Sequence, residues 1–166
     1  MLGTVKGRVW KFSDNINSDL IFPSRFFSLE PETVKKGAMK GLIPDFPQKV
    51  KPGDIIVAGR NFGCGSGRET AVTCLKLNGI SVVIAESFAR MFYRNAINLA
   101  LPVIQCRGIT EMVNEGDILE VNLDSAVVLN LDTKKELKGE DVPEHLKAIL
   151  EKDGLMNLLA GEHRLI

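Results

Sequence analysis

Neither sign of charge is in excess in this chain. Its 21 lysines and arginines balance 21 aspartates and glutamates, for a formal net charge of zero. No basic field is therefore available to gather nucleic acid or an anionic membrane surface. Long apolar runs are also missing, since nothing approaches the roughly 20 residues that a membrane helix needs. The first residues, Met1–Trp10, lack the apolar centre of a secretion signal, so a soluble cytoplasmic protein is expected. Cysteines are few and odd in number. Cys64, Cys74 and Cys106 form no Cys-x-x-Cys pair and have no histidine close by, which argues against disulfides and zinc patterns. The histidines, His145 and His163, stand in the C-terminal stretch outside any metal-ligand spacing, so no metal site is expected.

What is present is ordinary for a globular protein. The 166 residues are 45% apolar and 25% charged, enough for one domain over 1–166 with a real core. Loose alternation predicts a strand over Thr4–Phe12, followed by a polar turn cluster, Ser13–Asp19, and a short apolar run ending at Pro23. Pro31 suits the first turn of a helix reaching Gly41, and residues 43–53, with Pro44, Pro47, Pro52 and Gly53, read as a loop. Strands are expected at Asp54–Ala58, Ile80–Ala85 and Leu101–Cys106, with helices from Gly67 to Leu77 and from Ser87 to Asn98 between them. A hairpin of Asp117–Asn122 with Ala126–Leu131 follows, then a helix from Pro143 to Asp153 broken by Gly154. Strands alternating with helices imply a parallel core, and the hairpin adds antiparallel strands. The expected fold is a single mixed α/β sandwich.

One segment carries chemistry. Gly59–Thr70 follows an apolar strand and precedes a helix, with Gly63, Gly65 and Gly67 at alternating positions around Ser66 and with Arg68 next. Such a turn exposes successive backbone N–H groups beside a helix N-terminus and so favours an anion. Arg68 offers a bidentate partner to a carboxylate or phosphate. Spacing rules out familiar alternatives. There is no Gly-Lys-Ser/Thr ending for a phosphate-binding P-loop, Arg68 replaces the third glycine of a dinucleotide fingerprint, and Cys64 and Arg68 replace the flanking glycines of a nucleophile elbow. Ser66 and Glu69 also spell a capping box, so two readings of Ser66 stand: helix N-cap, or member of an anion site.

Four stretches carry a resemblance: NINSDLIFP (15–23), KPGDIIVAG (51–59), NFGCGS (61–66) and AESFARMFYRNAIN (85–98). In this order, across nearly the whole chain, they resemble the small subunits of 3-isopropylmalate dehydratase and related aconitase-type hydro-lyases. These are counterparts of aconitase's C-terminal swivelling domain. The resemblance implies that Ser66 is the base that removes a carbon-bound proton. It further implies that Arg68 binds a substrate carboxylate and that Asp19 and Gly67 lie at the substrate site. Loop N–H groups, the helix dipole and Arg68 are the expected stabilisers of a Ser66 alkoxide. A [4Fe–4S] cluster is implied too, and since no cysteine here matches its ligands, it is expected on a separate large subunit. The substrate is expected to be a hydroxy-dicarboxylic acid, with dehydration and rehydration interconverting 2- and 3-isopropylmalate in leucine biosynthesis. Homoaconitate, citramalate or citraconate, and dimethylmalate are alternatives, and a stand-alone binding or regulatory module is the alternative of a different class.

Two departures stand out. The family's usual loop reads Gly-Ser-Ser-Arg-Glu-His, whereas Gly67 replaces the second serine and Thr70 the histidine. Loss of that hydroxyl removes a contact worth about 0.5–1.5 kcal/mol. By the same resemblance Phe26, Phe27, Ser28 and Leu29 form the loop facing the variable end of the substrate. Ser28 stands where an arginine would accompany a distal carboxylate, with Arg25 near it. Ser87, Arg90, Tyr93, Arg94 and Asn95 match the family as well and read as structural, with Ser87 as a cap and the arginines as partners of carbonyls or of the large subunit.

Overall fold

Buried β-branched residues set the frame of the computed structural model, which describes residues 1–162. His163 lies outside the described residues. Strands β1 (Thr4–Lys11), β2 (Ile55–Ala58), β3 (Val82–Ala85) and β4 (Val103–Gln105) run parallel, in the register Val9↔Ile55, Ile55↔Val82 and Val83↔Val103. On the other edge of β1, the strands β5 (Ile118–Asn122), β6 (Val127–Asn130) and β7 (Glu136–Lys138) continue antiparallel. The seven strands form one sheet in the order β4-β3-β2-β1-β5-β6-β7. All eight residues of β2 and β3 are buried, as expected of parallel strands covered on both faces.

Alternation along the strands divides two cores. Trp10, Ile56, Ala58, Val83 and Ala85 face one, while Val9, Ile55, Val57, Val82 and Ile84 face the other. The first core is covered by α1 (Ser18–Ile21), α2 (Pro31–Lys36), α3 (Phe46–Lys49), α4 (Thr70–Leu77), α5 (Arg90–Asn98), α7 (Glu144–Glu151) and α8 (Leu155–Glu162). The second is closed by α6 (Ile109–Met112) and by Leu119, Val121 and Val128 of the antiparallel strands. The mixed α/β architecture is as expected, with local differences. Helix α2 stops at Lys36 instead of Gly41, and the chain then turns back so that Met39, at φ 55°, donates its N–H to the Ile21 carbonyl. The stretch expected to be a loop holds α3, with Pro47 in its first turn, where a missing N–H costs nothing. Helices α1, α6 and α8 and the edge strand β7 were not expected.

One buried carboxylate ties strand to strand. The Asp54 carboxylate, at the start of β2, accepts from Trp10 Nε1 at 2.8 Å and from the Lys51 N–H at 2.9 Å, with the Arg8 guanidinium 4.0 Å away. Asp54→Ala leaves the buried indole N–H without its partner. We expect a loss of about 3 kcal/mol, visible as a lower denaturation midpoint. A wild-type midpoint would show that these bonds add no net stability.

Candidate functional site

Strand β2 ends on the sheet's carboxyl edge and delivers the chain into the glycine loop, the usual place for ligands in parallel sheets. Phe62 anchors the loop. It is fully buried, packs edge-on against Phe92 at 5.1 Å and Phe88 at 6.2 Å, and its backbone N–H donates to the Ser87 carbonyl at 3.1 Å. Gly63 follows at φ 82°, and a Cβ there would fall 2.3 Å from the Phe92 side chain, so no other residue fits. Two more ties join the loop to the segment before α1 and to α1 itself. The Gly63 N–H donates to the Ile16 carbonyl at 2.8 Å, and the Ser18 N–H to the Cys64 carbonyl at 2.7 Å.

Gly67 takes φ 67°, a Cβ there would lie 2.7 Å from Met91, and its carbonyl accepts from Asn95 Nδ2 at 2.8 Å. The departure from the family's serine is thus matched by a backbone shape that a serine would strain. Asn95, buried on α5, fixes this backbone. Its bond to the loop carbonyl fits the structural role expected of it.

Two contacts join the loop to α1, one from Ser66 to Ser18 and one from Arg68 to Asp19. Ser66 is exposed, its Oγ lies 2.9 Å from Ser18 Oγ, and its N–H donates to the same oxygen at 3.1 Å. The Arg68 guanidinium stands 3.7 Å from the Asp19 carboxylate, with both side chains largely in solvent. Asp19 is held in place because Asn17 caps α1, its Oδ1 accepting the Leu20 N–H at 2.9 Å. An exposed hydroxyl beside a restrained guanidinium can hold a carboxylate next to a carbon acid.

The N-cap reading of Ser66 fails. Helix α4 begins at Thr70 with Glu69 as N-cap in helical geometry and no side-chain cap bond, so the capping box is not formed. Ser87 is no cap either. Helix α5 starts after Ala89, and Ser87 Oγ instead accepts the Asn61 N–H at 2.9 Å. Among the described residues the Arg90 and Arg94 guanidiniums make no hydrogen bond to a carbonyl and stand exposed.

The segment from Phe26 to Leu29 divides. Phe26 packs on the core beneath the Arg25 guanidinium, 4.8 Å from its ring, whereas Phe27 and Leu29 point outward at 63% and 94% exposure. Ser28 Oγ accepts the Glu30 N–H at 3.0 Å. Sequence reasoning missed Ser18, which sits in what read as a polar turn. Its partner Ser66 is 48 residues away, a pairing that no local pattern encodes.

The cysteines do not fit an iron–sulfur cluster. Cys74 is fully buried in the helix-covered core and Cys106 in the other core, while Cys64 is half-buried in the loop. Burial pushes the Cys74 thiol far above its usual range. Burial, helped by the Glu86 carboxylate, pushes Cys106 up to about 11. Such thiols resist forming the thiolates that a cluster needs. Among the described residues no group of His, Cys, Asp and Glu is placed to hold a metal ion, and no helix is long and apolar enough to cross a membrane. A groove of 630 Å³ runs between α5 and Pro143–Leu146, but Asp19, Ser66 and Arg68 take no part in it.

Known proteins give the arrangement its relatives. The aconitase C-terminal domain family matches residues 11–108. The isopropylmalate/citramalate isomerase small subunit of Methanocaldococcus jannaschii is 58% identical over 96% of this chain and 95% of its own. A 3-isopropylmalate dehydratase small subunit of Thermotoga maritima is 48% identical over 93% and 94%. A crystal structure of 3-isopropylmalate dehydratase from Methanocaldococcus jannaschii superimposes with a TM-score of 0.92 at 41% identity, covering 98% of this chain and 96% of that one. The chain belongs to the aconitase C-terminal domain family, among the small subunits of 3-isopropylmalate dehydratases.

Proposed function

We infer that this chain is the small subunit of a hydro-lyase that interconverts 2- and 3-isopropylmalate, completing its site only against a large partner. The observation that carries this reading is the joining of the glycine loop to α1, Ser66 to Ser18 at 2.9 Å and Arg68 to Asp19 at 3.7 Å, with Ser66, Arg68 and Asp19 all exposed. Arg68 takes a substrate carboxylate in its fork, and Asp19 restrains the guanidinium. The loop backbone at Gly67 lies beside the bound acid. Ser66 Oγ, as the alkoxide, takes the proton from the substrate carbon. The C–H bond breaks, an O–H bond forms, and the carbon's electron pair becomes the new double bond as hydroxide leaves. A [4Fe–4S] cluster on the large subunit supplies the Lewis acidity for that departure.

The alkyl end of the substrate meets Phe27 and Leu29, whose apolar exposure suits a branched chain, while the Arg25 guanidinium of this segment lies over the Phe26 ring. Each buried methylene is worth about 0.8 kcal/mol, so isopropylmalate should be favoured over smaller groups by about ten-fold. Citramalate is the second substrate to weigh, because the relative at 58% identity carries both names. The test is to assemble the chain with a large subunit bearing three cluster cysteines, reconstitute anaerobically, and measure kcat/KM on isopropylmalate, citramalate and homoaconitate. The isolated chain should be colourless and inactive, and the complex should prefer isopropylmalate. Equal kcat/KM for isopropylmalate and homoaconitate would remove the selecting role of residues 26–29. Stoichiometric iron binding by the isolated chain would overturn the assignment of the cluster to the partner.

A further inference from the structure

Ser18 is one of the few buried polar residues, at 3% exposure, and it lies at the first position of α1 directly beneath the glycine loop. Its backbone is held at both ends, the N–H donating to the Cys64 carbonyl at 2.7 Å and the carbonyl accepting the Phe22 N–H at 2.8 Å. Gly65 leaves room for its hydroxyl, since a Cβ at that position would stand 3.1 Å from Ser18 Oγ. The hydroxyl meets Ser66 twice, through the Ser66 N–H at 3.1 Å and through Ser66 Oγ at 2.9 Å.

A count of protons decides the direction of the second bond. A serine hydroxyl has one proton to give and two lone pairs to receive. Ser18 Oγ already receives the Ser66 N–H, and the acceptor the structure offers its own proton is Ser66 Oγ. Were Ser66 the donor instead, the buried Ser18 proton would lose that acceptor, a cost that exposed Ser66 avoids because water reaches it.

We propose that Ser18 is a positioning residue for Ser66, donating a fixed hydrogen bond to its Oγ that stabilises the anionic form and aims the remaining lone pairs at the substrate. The inference rests on the reading of Ser66 as the base. A donor aimed at an oxygen bonds the anion more strongly than the neutral hydroxyl, so the bond tightens when Ser66 is ionised and relaxes as Ser66 takes the substrate's proton. Ser18 keeps its own proton throughout.

The experiment uses the assembled two-subunit enzyme with Ser18→Ala, Ser18→Thr, Ser18→Cys and Ser66→Ala. The malate substrate carries hydrogen or deuterium at the carbon that loses its proton. Ser18→Ala should lower kcat by about 10- to 100-fold, leave KM within about three-fold, and raise the deuterium isotope effect, because proton abstraction becomes slower. Ser18→Thr, which restores a hydroxyl, should recover most of kcat. Should Ser18→Ala fail to assemble, Ser18→Cys fills the place with a weak donor and should show the same fall in kcat and rise in isotope effect. A wild-type kcat and isotope effect in Ser18→Ala and Ser18→Cys overturns the proposal, and so does a fall in their rate accompanied by an unchanged isotope effect. Ser66→Ala separates the two readings: full activity there removes the base itself, whereas its loss together with a neutral Ser18→Ala removes only the role of Ser18.

Discussion

Ser66→Ala in the assembled enzyme is expected to lower turnover by about 10²- to 10⁴-fold, the range for loss of a general base. The complex should still form and bind substrate. Three structural facts make the experiment clean. Ser66 is exposed, it caps no helix, and its backbone N–H, which holds the loop against Ser18, survives the substitution. Ser66→Ala takes the acceptor from the buried Ser18 hydroxyl, so a stability cost of about 1 kcal/mol is expected from that bond and not from a lost N-cap, and thermal unfolding of the isolated chain measures it. A variant that keeps more than about a tenth of the wild-type rate would sink the assignment of Ser66 as base.

The reach of sequence reasoning follows from the distance over which each feature is encoded. Ile55–Ala58 and Val82–Ala85 are unbroken apolar runs, so buried parallel strands could be read directly, and β5 with β6 follows from alternation around a short turn. Helix α1 could not be read that way. Its four residues are too few to show a period, and its stability comes from the Asn17 cap and from bonds to the loop some 46 positions later, which sequence spacing hides. Strand β7 is equally silent: three residues, two of them charged, suit an exposed edge that resists further pairing. At the site, the resemblance points to Ser66, Arg68 and Asp19; the fold sets Arg68 beside Asp19 and Ser66 against the neighbouring Ser18. The local capping pattern at Ser66 and Glu69 misled, because Gly65 and Gly67, both at positive φ, hold the chain out of the helix until Thr70.

Arg68→Ala is expected to lower kcat/KM by about 30- to 5,000-fold, equivalent to about 2–5 kcal/mol for truncating one member of a desolvated, hydrogen-bonded charge pair. Most of the loss should appear in KM if the carboxylate is held equally before and during proton abstraction, and in kcat if the grip tightens in the transition state. The separation from Asp19, 3.7 Å, is longer than a hydrogen bond, so the carboxylate restrains the guanidinium without occupying its donors. The fork thus remains free for a planar substrate carboxylate, which a lysine cannot grip in two places. Arg68→Lys should accordingly fall between wild type and alanine, keeping the charge and losing the bidentate geometry. In the free chain this pair is exposed and water-screened, so neither substitution should shift the unfolding midpoint appreciably. Steady-state kinetics of the three proteins, assembled with the same partner, decides the matter: wild-type kcat/KM in Arg68→Ala would place the substrate carboxylate elsewhere.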